Sequence, residues 1–223
     1  MRQSALIPAF NEADSIVSVL VGLRYFLPKL EILVVDDGST DGTAELALEF
    51  GAHVVRRKRG GYAAALRTGY RHLLGQGVDQ VIQLDADGQH PPEAALGLLE
   101  GLSDANWVVG SRANTASRAP LSRRVGNAAL AGAVRALIRV PLQDVTSGLW
   151  ALDAKALEVF ATHFPSDVAD ANIRVLASRR GLLIREMPVC MAERVEGESM
   201  HQGIAGISNW GRSVYAVFRE SKS

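Results

Sequence analysis

The chain has 223 residues, 48% hydrophobic and 22% charged, with a formal net charge of +0. That composition excludes a disordered chain and allows one α/β domain with a sizeable core, being short for two. The balanced charge offers no global field to a polyanion, so no nucleic-acid partner is expected.

The predicted elements follow in alternation. Residues 4–10 predict a strand, 11–23 a helix, and 31–37 a β-branched strand bounded by Gly38. Residues 40–50 predict a helix with Ser, Thr and Asp capping signals, and 52–56 a short strand. A helix over 61–74, a strand over 80–85, a helix over 91–102 with Pro in its first turn, and a strand over 106–110 follow. The second half is less regular. Helices are expected over 123–138, 154–164 and 170–180, a strand or hairpin over 146–153, and a strand over 182–189. Residues 196–203 are a Gly-containing loop, and apolar residues recur at helical spacing over 203–223.

This order predicts an α/β fold, a mostly parallel twisted sheet with helices on both faces, in a single domain over 1–223. Within it, 1–112 is expected to form one half, 113–202 a second, and 203–223 an amphipathic helix. That last helix suits either core or dimer packing or a membrane surface. The N-terminal apolar run is too short for a signal peptide, and no window reaches the ~18 uncharged apolar residues of a spanning helix. Cys190 is the single cysteine, which excludes an intramolecular disulfide and fits a reducing compartment. A cytoplasmic protein is expected, free or peripheral on the inner face of the membrane.

In such sheets ligands bind beyond the carboxyl ends of the strands. Asn11 and Glu12 follow the first strand, Asp36 and Asp37 end the second, and Asp85 and Asp87 end the fourth. If the chain stays extended past the strand, Asp85 and Asp87 face the same way. Two carboxylates and the amide of Gln89, at i, i+2 and i+4, suit a hard cation, Mg²⁺ or Mn²⁺, that leaves positions open for substrate phosphates. The bland alternative is a polar turn that caps the following helix. Asp36 and Asp37 can accept from the ring N–H and ribose hydroxyls of a nucleotide; capping explains Asp41 but not this pair. Gly60 and Gly61 open a helix after the basic loop Arg56–Arg59. Their free N–H groups can meet ribose or phosphate, or the loop is simply solvated. Neither a Gly-x-Gly-x-x-Gly after the first strand nor a Gly-x-x-x-x-Gly-Lys is present, which argues against nicotinamide enzymes and P-loop nucleotidases.

Arginine accounts for 20 of the 24 basic residues. No Asp or Glu occurs from Ala105 to Gln143, while Arg112, Arg118, Arg123, Arg124, Arg135 and Arg139 do. A locally positive surface suited to phosphate is expected there.

Taken together, Ile7-Pro-Ala-Phe-Asn-Glu, Val35-Asp-Asp-Gly-Ser-Thr-Asp-Gly, Gly60-Gly-x-x-Ala-Ala-Leu, Asp85-Ala-Asp-Gly-Gln-His-Pro-Pro-Glu and Gly110-Ser-Arg resemble the family 2 glycosyltransferases, which have the GT-A fold. Asp144-Val-Thr-Ser-Gly-Leu-Trp-Ala-Leu and Arg194-x-x-Gly-x-Ser are similar to the dolichyl-phosphate mannosyltransferase branch, whose members use polyprenyl phosphates. The resemblance spans about residues 4–199. It implies an inverting transfer of a hexose from a GDP- or UDP-linked donor to an acceptor, with polyprenyl phosphate the branch's choice. Pro8, Phe10 and Glu12 would line the nucleobase pocket with Asp36 or Asp37. Gly61 and Ala86 would join the nucleotide site, and Asp85, Asp87 and Gln89 would hold the metal. Arg112 and Arg123 would meet the diphosphate and the acceptor phosphate, with Arg194 nearby. Two departures reduce positive charge there: Met200 follows Ser199 where the branch has Lys, and Glu196 is acidic where a basic residue is common.

An anionic lipid phosphate needs no general base. A hydroxyl acceptor of a saccharide or small molecule does, and Asp144 is the candidate, or else it anchors the turn at Thr146. A third reading, of another class, is a nucleotide-sugar-binding regulatory domain without catalysis.

Overall fold

The computed structural model describes residues 1–112, 142–165 and 171–191, with 131–132, 134–138 and 140. In chain order the elements are β1 (Gln3–Ala9), α1 (Ala13–Phe26), β2 (Glu31–Asp36), α2 (Thr43–Glu49), β3 (His53–Arg56), α3 (Tyr62–Gly75), β4 (Gln80–Gln83) and α4 (Ala94–Glu100). There follow β5 (Trp107–Ser111), β6 (Trp150–Asp153), α5 (Ala154–His163), α6 (Asn172–Arg179) and β7 (Ile184–Pro188). Residues 131–132 and 134–138 are helical, within the helix expected over 123–138; the start of that expectation, and all of 203–223, lie outside the described residues.

The described strands form a seven-stranded sheet in the order β3-β2-β1-β4-β6-β5-β7. All neighbouring pairs are parallel except those of β6, which runs antiparallel to both β4 and β5. The expected mostly parallel sheet is therefore present. Strands β1 to β3 grow in one direction, and β4 then joins the other side of β1. That reversal leaves a crevice beyond the β1 and β4 carboxyl ends.

Alternating side chains of the central strands are covered on both faces, which is why β1, β2 and β5 are largely apolar. Ala5, Ile7, Ile32, Val34 and Ile82 pack with α1, α2 and α4. Leu6, Leu33, Val35 and Val81 face α3, α5 and α6. On that second face Trp107, Trp150, Phe160, Phe164 and Tyr70 form a cluster of edge-on and tilted rings. Trp107 and Trp150 are fully buried and belong to the core, as their setting in apolar runs suggests.

Three boundaries differ from the sequence expectation in ways that matter. Strand β4 ends at Gln83 rather than residue 85, and Ala86, Asp87 and Gly88 form a turn. Helix α4 starts at Ala94, after a turn at Pro92 and Glu93. Only Trp150–Asp153 of the strand expected over 146–153 is strand; residues 144–149 are an irregular approach to it.

Helix α3 lies close on β1 because Gly69 has no side chain. A Cβ there would overlap the fully buried Leu6 side chain. Gly69→Ala should gain roughly 1 kcal/mol of helix propensity but lose about 1–3 kcal/mol to overpacking. A net loss of stability is expected, read as a lower urea midpoint with an unchanged m-value.

Candidate functional site

The tips of β1, β2 and β3 are level, and β4 ends opposite Leu6, with the chain continuing from there toward the same end. Register pairs Ala9 with Asp36 and Asp36 with Arg56, and Leu84 N donates to Leu6 O at 3.2 Å. Acidic and amide groups from β1, β2 and β4 thus collect on one rim. Strand β5 ends there at Ser111, and antiparallel β6 begins there, so the 144–149 segment joins the same rim.

Helices α1 and α2 start together on this rim. Asn11, the described non-glycine residue with positive φ (54°), donates its backbone N–H to Ser39 Oγ and accepts from Thr40 N. Asp41 accepts from Ala13 N and from Thr43 N, both at 3.0 Å. The expected capping role of Asp41 is present, spread over two helices.

The structure places Asp36 and Asp37, both buried, in defined hydrogen bonds. Asp36 Oδ1 accepts from Ser39 N at 3.0 Å. Asp37 accepts from Gly60 N at 3.0 and 3.1 Å, from Gly61 N at 2.7 Å, and from the Arg57 guanidinium. The Gly60 and Gly61 N–H groups are therefore not open to a phosphate, as the sequence suggested. Asp37 satisfies them and draws the basic loop onto the rim. Above the same loop the Arg59 guanidinium stacks on Phe10, 3.3 Å from the ring centroid. Pro8 is buried beneath, while Phe10 and Glu12 are half-buried, with Glu12 accepting from Ser15 Oγ at 2.9 Å.

Asp85 and Asp87 do not share a face by strand alternation, because the chain has already turned. Asp87 Oδ1 accepts from Gln89 N at 3.0 Å, and Gly88 takes a positive φ of 75°. The segment after β4 is thus a turn rather than a continued strand, and Ala86 within it is buried. Asp85 Oδ1 accepts from the Tyr62 hydroxyl at 2.8 Å, and Asp85 N donates to His90 Nδ1 at 2.8 Å.

This donor set fits Mg²⁺ or Mn²⁺. It presents carboxylate and amide oxygens, while the nearby imidazole nitrogen Nδ1 is engaged by backbone. Among the described residues no group of three or more His, Cys, Asp or Glu could by itself hold a metal. An ion here would have to be completed by ligand oxygens.

Arg112, just past β5, grips Asp144. Its Nε donates to Oδ2 at 2.7 Å, its second terminal nitrogen to Oδ1 at 2.9 Å, and its backbone N–H to Oδ2 at 3.1 Å. The same guanidinium donates to Thr146 Oγ1 at 2.8 Å, and Glu186 of β7 accepts from Asp144 N at 2.7 Å. Burial pushes the Asp144 carboxyl up, but the Arg112 hydrogen bonds and charge outweigh it and hold it well below the usual range. Of the two roles considered for Asp144, the geometry matches the anchor of the Thr146 turn. A general base needs the opposite tuning. Arg123 and Arg194, with Glu196 and Met200, lie outside the described residues.

A polar layer that sequence reasoning missed lies under the rim. Gln83 donates to Gly148 O at 2.8 Å and to Tyr62 Oη at 3.1 Å, and it accepts from Tyr70. Arg174, 1% exposed, donates to Ser147 O at 2.8 Å and sits over the Trp107 and Trp150 rings at 5.1 and 5.3 Å. The available signal was Gln83 itself, a polar residue on an otherwise buried strand.

A mostly parallel sheet with an acidic rim and a switch-point crevice is an α/β fold whose ligands bind beyond the carboxyl ends of the strands. The model of glycosyl transferase family 2 matches residues 4–158, and the chain belongs to that family. It is 34% identical to the undecaprenyl-phosphate mannosyltransferase of Micrococcus luteus, over 95% of this chain and 94% of that protein. It is 28% identical to the polyprenol monophosphomannose synthase of Mycolicibacterium smegmatis, over 94% and 87%. Solved structures confirm the GT-A fold. Mannosyl-3-phosphoglycerate synthase from Rubrobacter xylanophilus superposes with a TM-score of 0.74 at 22% identity, covering 99% of this chain and 72% of that one. Glucosyl-3-phosphoglycerate synthase from Mycobacterium tuberculosis, in complex with Mn²⁺, UDP and glucosyl-3-phosphoglycerate, gives 0.72 at 22%, covering 99% and 80%. The protein is therefore a glycosyltransferase with polyprenyl-phosphate mannosyltransferase relatives. Among the described residues no helix is long and apolar enough to cross a membrane.

Asp144→Asn should lower the unfolding free energy by about 1–3 kcal/mol, less than for a fully buried pair because the Arg112 side chain is 41% exposed. The Asp144 carboxyl is depressed in the folded state, so its stabilisation is fully present above the unfolded value of about 3.9. It is lost as pH falls below that. Urea unfolding of both proteins should give a gap that is constant from about pH 5 to 7 and closes toward acid.

Proposed function

We propose that this enzyme transfers a hexose, with inversion, from a GDP- or UDP-linked sugar to a polyprenyl phosphate, with Mg²⁺ or Mn²⁺ at Asp85, Asp87 and Gln89. The observation that carries the reading is the oxygen-only donor set at the mouth of the β1–β4 crevice, on a chain 34% identical to an undecaprenyl-phosphate mannosyltransferase.

In this reading the base and ribose lie over Pro8, Phe10 and Glu12, beside Asp36, Asp37 and the Gly61 turn. The diphosphate meets Asp85, Ala86 and Asp87, with Arg112, Arg123 and Arg194 on the acceptor side. When bound, the cation offsets the charge that develops on the departing nucleoside diphosphate. Asp85, Asp87 and Gln89 hold it through oxygen. The acceptor oxygen forms its bond to the anomeric carbon as the bond to the diphosphate breaks, which inverts that centre.

The acceptor choice rests on proton accounting. A hydroxyl must lose a proton to a base. Asp144 is held as an anion by Arg112, with too little basicity for that task. A phosphate monoester, with a second pKa of about 6, is largely dianionic at neutral pH and needs no base. This supports the lipid-phosphate acceptor over the hydroxyl alternative; in this reading the protein works at a membrane surface during turnover.

The test pairs GDP- and UDP-hexoses with a short-chain polyprenyl phosphate and with a free sugar, in Mn²⁺, Mg²⁺ or EDTA. Transfer to the phosphate that is lost in EDTA is expected. Asp87→Asn should lower kcat/KM by about 100-fold or more. Full activity of Asp87→Asn removes the metal assignment. Transfer to a free hydroxyl that Asp144→Asn abolishes establishes the hydroxyl reading, and donor binding without hydrolysis or transfer the regulatory one.

A further inference from the structure

Asp85 does not stand alone at the end of β4; a chain of fully used hydrogen bonds sets its orientation. The orientation of the Gln83 amide is unambiguous. Its Nε2 donates to the Gly148 carbonyl at 2.8 Å, which can only accept, and its Oε1 receives the Tyr70 hydroxyl. That same Nε2 also donates to Tyr62 Oη at 3.1 Å. Tyr62 has one proton, and with its oxygen accepting from Gln83, the proton goes to Asp85 Oδ1 at 2.8 Å. Gln83 is 0% exposed, so no water competes for its amide.

Packing closes the arrangement from above. A Cβ at Gly148 would stand 2.9 Å from Tyr62 Oη and 3.0 Å from Asp85 Oδ2. Only glycine lets the 147–149 backbone press this closely on the phenol–carboxylate pair. From the other side, Asp85 N donates to His90 Nδ1 at 2.8 Å, and His90 Nε2 lies 3.6 Å from Oδ2.

We infer that Tyr62 is a positioning residue for Asp85: its phenol holds Oδ1 and so fixes the orientation in which the carboxylate meets a divalent cation. Gln83 and Gly148 hold the phenol in that role. The inference rests on the reading of Asp85 as a metal ligand. It adds that the ligand's orientation is set from α3 and from the turn that leads into β6. A cation-binding carboxylate whose second oxygen is hydrogen-bonded is pre-oriented, and loss of such a partner costs affinity for the ion.

The probe is Mn²⁺ itself, titrated by electron paramagnetic resonance into the full chain with GDP and separately with UDP. Tyr62→Phe keeps the ring and removes the hydroxyl. It should weaken Mn²⁺ binding about 10-fold or more and raise the Mn²⁺ concentration for half-maximal activity more than it lowers kcat at saturating metal. Tyr70→Phe removes the other phenol of the network without touching Asp85, and should leave Mn²⁺ affinity within about two-fold. Parental Mn²⁺ affinity in Tyr62→Phe, or an equal loss in Tyr70→Phe, overturns the positioning role and leaves the metal reading standing. A parent protein that takes up no Mn²⁺ with either nucleotide overturns both. Should Tyr62→Phe not fold, Gly148→Ala carries the same test, since its methyl displaces the same pair.

Discussion

The site depends on one topological constraint, the insertion of antiparallel β6 between β4 and β5. Every other described strand ends at the rim; β6 begins there. The chain must therefore approach the sheet through the rim itself, along residues 144–149. That approach supplies Asp144 to Arg112, the Ser147 carbonyl to Arg174 and to the Trp150 indole at 2.5 Å, and the Gly148 carbonyl to Gln83. Buried backbone carbonyls must find donors, and here the donors are long side chains from neighbouring layers. One segment thus ties Asp85, through Gln83 and Tyr62, to Arg112, through Asp144.

Two acids of this rim are paired with arginine before any ligand arrives. Asp37 is matched by Arg57 and two glycine N–H groups, and Asp144 by Arg112. Paired acids are poor bases, and this weighs on the chemistry more than the count of acids does. It favours a nucleophile that carries its own negative charge. The acid-free stretch from Ala105 to Gln143, with its six arginines, lies beside the same rim in sequence, where such a nucleophile would need cations.

Much of this was legible in the sequence. Strand and helix order followed from apolar runs punctuated by Gly, Pro and Asp, because a doubly covered sheet makes its central strands largely apolar. The acidic residues were legible because each sits where an apolar run stops. Their partners were not, since those are set by tertiary contact. Asp37 reaches Gly60 and Gly61, Arg112 reaches Asp144, and Gln83 reaches Gly148, all between residues far apart in sequence. The direction of β6 was equally hidden, because local pattern carries no information about strand order. The turn at Ala86–Gly88 was misjudged because Asp-Ala-Asp-Gly reads as extended by alternation, whereas Gly88 at positive φ and the Asp87-to-Gln89 bond bend it.

The same accounting bears on how metal and donor would bind. Two carboxylates and one amide oxygen are too few for a hard cation with six positions, and no further described cluster supplies the rest. A diphosphate facing Asp85 and Asp87 without a cation would meet two like charges, and Arg112 is already committed to Asp144. Each partner therefore lacks what the other brings: the ion needs phosphate oxygens, and the phosphates need the ion. Under the proposed function the two should bind cooperatively, and by linkage the coupling is reciprocal. A carboxylate held in one orientation by Tyr62 suits this, because a fixed oxygen lowers the ordering cost of assembling ion and diphosphate together.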